Sequence, residues 1–345
     1  MAAATSGRKR KRLLALFLAL ALAFAAGEIG ARALVGAPLA EREPLLLVRA
    51  NSFRGWEMVP GVHYTYQHPV HVNALGLRGP ELGPKASDEA RVLFLGDSLT
   101  YGQGVADDET VPFALERALA ARDAGRRWTV LNAGNRAYGT AQEVGLLEEL
   151  GARLAPDVVL LGWYWNDVSE RPIDATYESF RERGEFAFDT GERMEGLARM
   201  RWYAEQLPRR SALVMLVHDL FTTKGEVYAP EIAEEGFQRL GLLLEHMREL
   251  CAKLGAKPVV VIFPDAKRLA GGGDTRAYDE RALVLAHERE LPVIELLPAL
   301  APLYAARGRP PILPFDGHYD AEANHALGEY LAGELVALGV TKRAE

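Results

Sequence analysis

The chain alternates between short apolar runs and longer segments in which apolar residues recur every three or four positions. The short runs are bounded by turn residues, which is typical of buried strands. They cover residues 92–95, 129–132, 158–162, 258–263 and 293–296. Helical patterns lie between them, chiefly over residues 142–154, 236–254, 276–289 and 321–338. Repeated strand–helix units predict an α/β fold with a parallel sheet covered by helices on both faces, a three-layer α/β/α arrangement.

The first 36 residues differ from the rest of the chain. A basic block, Arg8–Arg12, precedes an uncharged apolar run from Leu13 to Gly27. This order predicts a helix whose basic end stays in the cytoplasm, so that the remainder of the chain is exported. The run is short for a hydrocarbon core of ~30 Å, and Ala23-Phe24-Ala25 fits a signal-peptide cleavage site.

An uncleaved transmembrane anchor is the alternative to a signal peptide, and two observations favour it. The helical pattern continues through Val35, and Glu28 and Arg32 are one helical turn apart, where they can pair at the outer interface. We therefore expect residues 1–36 to form a cytoplasmic basic tail and a single-pass anchor. Both interpretations place the rest of the protein outside the cytoplasm.

Three further segments follow from the pattern. Residues 37–87 are expected to form a linker, rich in proline at its start, followed by one or two short strands between Val62 and Val72. Residues 88–340 hold the strand–helix alternation and form the main domain. Residues 168–230 interrupt this alternation and are interpreted as a helical insertion. The insertion is either a lid or wall of the active site, or a cap packed for stability.

Composition excludes several classes of function. The net charge of -7 over 345 residues argues against a general nucleic-acid binder. The single cysteine, Cys251, excludes an intrachain disulfide and thiolate zinc sites. Because Cys251 falls in a helical apolar pattern, we interpret it as a core residue.

Candidate chemistry begins where the first strand ends, at Gly96-Asp97-Ser98. Active sites of parallel α/β sheets lie at the carboxyl ends of the strands, so Ser98 is well placed to be a nucleophile. A serine hydroxyl is a weak nucleophile and needs a base, an orienting acid and donors for the oxyanion. The alternative is that Ser98 only caps the following helix.

The tetrapeptide Gly96-Asp97-Ser98-Leu99 resembles the first block of the GDSL, or SGNH, hydrolases. Later segments resemble the other blocks in the correct order. The segment Asn73–Arg78 is similar to one that precedes the first block in many exported, membrane-anchored members. The resemblance implies a flavodoxin-like sheet and a serine ester hydrolase that needs no cofactor and no metal.

Two segments resemble the blocks that supply oxyanion donors. In the segment that begins at Asn132, the position of the family's glycine is occupied by Ala137. Alanine can supply the same backbone N–H if its φ is negative, and Gly134 is a neighbouring alternative. The segment Gly162–Asp167 resembles the Gly-x-Asn-Asp block, with Trp165 where a small residue is common. The resemblance makes the Asn166 side-chain amide the third donor, beside the amide of Ser98.

The last block contains Asp316-Gly317-His318, one residue shorter than the family's Asp-x-x-His. The resemblance makes His318 the general base and Asp316 the acid that orients it. Residues two apart in an extended segment project to the same side, and glycine permits a bend. His325 is a second candidate base, although its helical pattern favours a structural role.

These observations predict a membrane-anchored, extracytoplasmic serine hydrolase that cleaves carboxylic esters through an acyl-enzyme. Its partners would be the membrane and a small-molecule, lipid or glycan ester. One alternative is an acyltransferase or deacetylase acting on a cell-envelope polysaccharide with the same residues. Another is a non-enzymatic binding or assembly protein that keeps the fold with a degenerate active site. A structure in which His318 lies far from Ser98 would favour this alternative.

Overall fold

The computed structural model describes residues 2–170, 172–221, 228–271 and 275–341. The N-terminal part contains one long helix and four short strands: α1 (Ala2–Val35), β1 (Leu47–Asn51), β2 (Gly55–Met58), β3 (Gly61–Thr65) and β4 (His68–Val72). The first half of the main domain contains β5 (Glu89–Gly96), α2 (Ser98–Tyr101), α3 (Val111–Arg122), β6 (Arg127–Gly134), α4 (Thr140–Leu154) and β7 (Val158–Trp163).

The second half begins with the insertion, which contains α5 (Ile173–Arg181), β8 (Phe186–Ala187), α6 (Gly196–Gln206) and α7 (Ala212–Phe221). It ends with α8 (Pro230–Leu254), β9 (Lys257–Ile262), α9 (Arg276–His287), β10 (Val293–Glu295), α10 (Leu297–Arg307) and α11 (Ala321–Ala337).

The central sheet has five parallel strands in the order β10-β9-β7-β5-β6. Its strands are the five that the apolar runs predict. Numbered by their place in the chain, they run 2-1-3-4-5 across the sheet from β6, which is the flavodoxin order. The predicted α/β fold class is confirmed.

Alternate residues of the strands serve the two faces of the sheet. Leu93 and Leu95 of β5 pack in a core with α4, α8 and α9. Val92 and Phe94 pack in a second core with α3, α10 and α11. Every residue of β5 is buried, because helices cover both faces and leave no solvated side. Cys251 is buried on α8, as predicted.

Helix α1 is long and apolar enough to cross a membrane over Arg10–Val35, with a mean hydropathy of 2.2. A signal sequence near an N-terminus has the same properties. The predicted pair forms on its last turns, where Arg32 Nε lies 2.6 Å from Glu28 Oε1. Most of the apolar side chains between Leu13 and Phe24 are exposed, as expected of a helix that lies in lipid.

Residues 37–60 are more ordered than the expected linker. Strands β1 and β2 form an antiparallel hairpin, and β1 also pairs with β8 of the insertion. Val48, Trp56 and Met58 are buried on this small sheet. The prolines that suggested a linker lie outside these strands. The strands expected between Val62 and Val72 are the β3–β4 hairpin.

The insertion is partly a packed cap. Trp202 of α6 packs with Leu45 and Ala187, so this part of the segment buries apolar surface against the N-terminal sheet. Helix α7 is different, because its apolar side chains are largely exposed. Residues 171 and 222–227 of the predicted segment lie outside the described residues.

Candidate active site

Three neighbouring strands deliver the candidate residues to one edge of the sheet. Ser98 directly follows β5, which lies between β6 and β7. Ala137 follows β6, and Asn166 follows β7. The strand order reverses at β5, and ligands of open α/β sheets bind in the crevice at such a point.

The hydroxyl of Ser98 lies beside His318. Ser98 Oγ is 2.7 Å from His318 Nε2, and His318 Nδ1 is hydrogen-bonded to Asp316 Oδ1. An ionised carboxylate only accepts, so Nδ1 carries the proton and Nε2 is free to accept from the serine. This is the arrangement of an activated serine. His325 is exposed on α11, away from this contact.

The structure also answers whether Ser98 is only a helix cap. The N-cap of α2 is Asp97, whose carboxylate accepts a hydrogen bond of 2.8 Å from Leu99 N. Ser98 is the first residue of the helix. Capping is therefore done by its neighbour, and the Ser98 side chain remains directed at His318.

The electrostatics favour an ionised Asp316. Burial acts to raise its pKa, but hydrogen bonds and the charge of His318 outweigh burial and lower the pKa to about 2. Asp316 Oδ1 also accepts from the His318 backbone N–H at 3.0 Å. The carboxylate thus fixes both the ring and the backbone of the histidine.

Sequence reasoning missed a third partner of Asp316. The Tyr66 hydroxyl donates to Asp316 Oδ2, and Gln103 Nε2 lies 3.4 Å from the same oxygen. Tyr66 is in the β3–β4 turn with φ +52. Burial, with the Asp316 charge, raises the pKa of Tyr66, so the phenol keeps its proton and remains a donor. Only its position in a hairpin turn marks Tyr66 in the sequence.

The amide group of Asn166 is not fully hydrogen-bonded within the protein. Its Oδ1 is buried without a hydrogen-bond partner among the described residues. The adjacent Asp167 caps the short turn that follows β7, since its Oδ2 accepts from Tyr164 N at 3.1 Å. The cap of this turn is therefore Asp167 and not Asn166. Trp165 packs against the rings of Tyr228 and Tyr278.

The backbone at Ala137 differs from the expectation. Its φ is +57, in the left-handed region, whereas we expected alanine to supply the N–H from a negative φ. The loop keeps the conformation that glycine adopts easily, and alanine there costs about 1 kcal/mol or more. Gly134 is a poor alternative donor, because its N–H is bonded to Asn132 Oδ1 at 3.1 Å.

The loop that carries Ala137 is held by an ion pair between the buried Arg136 and the more exposed Asp189. The guanidinium of Arg136 contacts both oxygens of Asp189, at 2.7 and 3.0 Å. Its Nε donates to Gln103 Oε1 at 2.9 Å. Asp189 belongs to the insertion, so the insertion is joined to the loop that carries Ala137 and, through Gln103, to Asp316.

Three carboxyl groups are buried next to the candidate donors. Asp97 adjoins Ser98, Asp167 adjoins Asn166, and Glu143 lies on α4; all three are nearly fully buried. Burial raises the pKa of Asp97 to about 6 and those of Glu143 and Asp167 well above their ordinary values. Burial thus favours protonated Glu143 and Asp167, which then add no negative charge where an oxyanion would develop, whereas Asp97 is protonated only below about pH 6.

Arg78 gives the Asn73–Arg78 segment a structural role. Its buried guanidinium donates to the backbone oxygens of Tyr101, Gly102 and Val105, at 2.7 to 2.8 Å. It also pairs with Asp107 at 2.8 Å. These bonds fix the loop after α2, and so the helix on which Ser98 is carried.

A family model described as the GDSL-like lipase/acylhydrolase family matches residues 94–326, more than half of the chain. The matched segment includes all five candidate residues. No curated protein matches the chain.

Solved structures resemble the chain at low identity. LAE5, an alpha/beta hydrolase enzyme from the metagenome of Lake Arreo, Spain, is 16% identical, with a TM-score of 0.44 over 74% of this chain and 97% of that chain. TesA is 16% identical, with a TM-score of 0.42 over 72% and 99%. The lipase/acylhydrolase from Enterococcus faecalis is 18% identical, with a TM-score of 0.42 over 72% and 96%.

Proposed function

Since the chain belongs to the GDSL-like lipase/acylhydrolase family and is an ester hydrolase, we propose that it cleaves carboxylic esters through an acyl-enzyme on Ser98. The observation that carries this proposal is the 2.7 Å contact between Ser98 Oγ and His318 Nε2, with Asp316 behind the ring. A non-enzymatic protein would not need to keep the serine, histidine and aspartate side chains in hydrogen-bonding contact.

The first step is attack of Ser98 Oγ on the ester carbonyl carbon. His318 Nε2 takes the hydroxyl proton as the C–O bond forms, and Asp316 stabilises the imidazolium. The tetrahedral oxyanion accepts hydrogen bonds from the Ser98 and Ala137 N–H groups and from Asn166 Nδ2. The intermediate collapses, the bond to the leaving oxygen breaks, and His318 gives its proton to the departing alcohol.

The second step reverses these roles for water. His318 takes a proton from water, and the hydroxide oxygen attacks the acyl carbon bound to Ser98. Collapse of the second intermediate releases the carboxylic acid and returns the proton to Ser98. An acceptor alcohol in place of water would make the same residues an acyltransferase.

Covalent labelling with a fluorophosphonate tests the nucleophile and base. The full-length protein in detergent is compared with Ser98→Ala and His318→Ala variants, with Ser52→Ala and His325→Ala as matched controls. Ser52 and His325 are exposed and lie outside the proposed machinery. We expect labelling of the wild type and both controls, and loss in the first two variants. Labelling that survives His318→Ala would overturn the assignment of the base.

Product analysis then separates hydrolysis from transfer. The enzyme is incubated with an activated acetyl ester, alone and with a soluble polysaccharide. Free acetate in equal yield under both conditions supports hydrolysis. Acetyl groups that appear on the polysaccharide would support transfer instead.

We also propose that the domain after α1 lies outside the cytoplasm. The support is the basic block at residues 8–12, followed by the apolar helix, because short basic flanks remain on the cytoplasmic side. The test is a C-terminal alkaline phosphatase fusion, which is active only after export. A second fusion carries a fluorescent protein at the same C-terminus. Fluorescence of that fusion, together with an inactive phosphatase fusion, would contradict this orientation.

A further inference from the structure

Helix α7 carries an apolar face that is half-buried at its start and left uncovered by the described residues toward its end. Its side chains follow the positions i, i+3, i+4, i+7 and i+8 of a helix, at Leu213, Leu216, Val217, Leu220 and Phe221. Exposure rises along the helix, from 44% at Val217 to 75% at Leu220 and 84% at Phe221. An apolar helix of ten residues is usually a core helix or an interfacial one, and these exposures exclude a core helix.

The beginning of α7 is joined to α1. Three donors bond the Glu28 carboxylate: Ser211 Oγ at 2.7 Å, Ala212 N at 3.1 Å and Leu213 N at 3.0 Å. The last two are N–H groups of the first turn of α7 that have no partner within the helix, so Glu28 of α1 caps the start of α7. Arg32 adds a bond of 2.9 Å to the Arg210 carbonyl.

The apolar face of α7 continues the surface of α1. Leu213 packs over Gly27, where an added Cβ would lie 2.9 Å from Leu213 Cδ2. From this contact the exposed leucine, valine and phenylalanine side chains extend away along α7. The face therefore starts at the outer end of a helix that can span a membrane, at the depth of the Glu28–Arg32 pair.

Another side of α7, which is itself partly exposed, borders a cavity of the domain. Val214, Met215 and His218 line a cavity of about 320 Å³, together with Phe315 and Asp316 of the catalytic loop. One side of α7 thus borders the domain, and another presents apolar side chains that could contact an apolar medium. This division is typical of a helix that lies in the plane of a membrane interface.

We propose that α7 lies in the outer interface of the membrane that α1 crosses, with its apolar face in the lipid, and holds the active-site edge of the sheet at the bilayer. Pro314 of the catalytic loop packs at the end of α1, where a Cβ added to Gly36 would lie 2.7 Å from Pro314 Cγ. Gly36 is about 12 Å along the helix from Glu28, at ~1.5 Å per residue. The catalytic loop is therefore close to the headgroup surface. The substrate class that fits is a membrane-resident acyl ester, an assignment that rests on the proposed function.

Depth-dependent quenching tests the position of α7. Leu220→Cys carries an environment-sensitive fluorophore on the full-length protein in vesicles that contain nitroxide-labelled phospholipid. Leu242→Cys on α8 is the matched control, because Leu242 is a leucine with 74% exposure. Cys251 does not compete for the label, since it is buried and its thiol pKa is raised to about 12. We expect quenching of about two-fold or more at position 220 and little at position 242. Equal quenching at both positions overturns the proposal.

Activity tests the substrate class separately. The full-length Leu220→Ser/Phe221→Ser variant is compared with Leu242→Ser on a water-soluble acetyl ester and on an acyl ester carried by a lipid in the same vesicles. We expect the double variant to lose about ten-fold on the vesicle-borne ester and to keep its rate on the soluble one. Equal rates of wild type and double variant on the vesicle-borne ester would overturn this substrate class.

The two proposals fail in different ways. A protein that hydrolyses neither ester and takes no fluorophosphonate label contradicts the proposed function, while the quenching result still decides the position of α7. A protein that labels and hydrolyses the soluble ester, but shows no quenching at position 220, keeps its proposed function and loses the membrane interface.

Discussion

Replacing Tyr66 by phenylalanine removes one hydroxyl group and tests whether the β3–β4 turn positions the catalytic acid. The lost bond is the one that the phenol donates to Asp316 Oδ2. A hydrogen bond to a charged group contributes about 1.5–3 kcal/mol. Gln103 Nε2, now at 3.4 Å, can take over part of this bond, so the lower value applies. We expect kcat to fall about ten-fold, with KM little changed, because 1.4 kcal/mol is a factor of ~10.

The pH dependence tests whether Asp316 stays ionised in the variant. The Asp316 pKa is about 2 in the folded protein, against an ordinary value of 3.8. Losing the phenol would raise it by about one unit, since a unit is ~1.4 kcal/mol. The carboxylate would remain ionised at neutral pH. The shape of the kcat/KM profile between about pH 6 and pH 9 should therefore not change, although its height does.

The lowered pKa of Asp316 also makes the stability of the folded protein depend on pH. A folded-state pKa below the unfolded one stabilises the protein above pH 3.8, by about 2 kcal/mol, and this contribution is lost as the pH falls toward 2. Tyr66→Phe should remove about 1 kcal/mol of this stabilisation at neutral pH, and much less near pH 2.

The assay measures steady-state hydrolysis of a soluble ester by full-length enzyme in detergent. The matched control is Tyr64→Phe on the same hairpin, where the ring lies under Arg42 at 4.5 Å. Rates of the two variants within about two-fold of each other would refute the positioning of Asp316 by Tyr66. A profile whose acid limb moves through neutral pH would refute the pKa reasoning.

Three further changes test the oxyanion loop and its supports. Asn166→Ala should lower kcat by about 10²–10³, or 3–4 kcal/mol, with KM nearly constant; a loss confined to KM in steady-state kinetics would contradict a donor to the oxyanion. Ala137→Gly should raise the free energy of unfolding by about 0.5–1 kcal/mol, because φ +57 is strained for alanine, and denaturant titration showing destabilisation would exclude that conformation. Asp189→Asn should destabilise by about 1–3 kcal/mol, since it leaves the buried Arg136 guanidinium without its counter-charge; an unchanged melting temperature would show that the pair is unimportant.

The elements set by local pattern could be predicted from the sequence. Five apolar runs identify the five central strands, because strands buried on both faces carry nearly continuous apolar runs. The residues after β5, β6 and β7 then converge, since parallel strands end at one edge. This convergence supported Ser98 and Asn166 as candidates, whose roles came from the family resemblance.

Contacts between distant segments could not be predicted in this way. Tyr66 and Asp316 are 250 positions apart, and no local pattern joins a hairpin turn to the catalytic loop. Strand β1 pairs with β8 across the whole first half of the main domain. The sequence predicts that Glu28 pairs with Arg32, one helical turn away, and this pair forms. The bonds from the start of α7 to the same Glu28 carboxylate could not be predicted.

The shortened Asp-x-His spacing shows how local conformation compensates for a missing residue. Gly317 has φ +102 and Phe315 has φ +62, so the loop is bent on both sides of Asp316 and is not extended. This bend lets Asp316 Oδ1 accept from the backbone N–H of His318, two residues later, and from the ring of the same residue. A side chain that bonds the N–H two positions ahead closes an Asx turn, which is a rigid unit. The short spacing therefore fixes the carboxylate to the histidine within the loop itself, while Tyr66 holds the other carboxylate oxygen from outside.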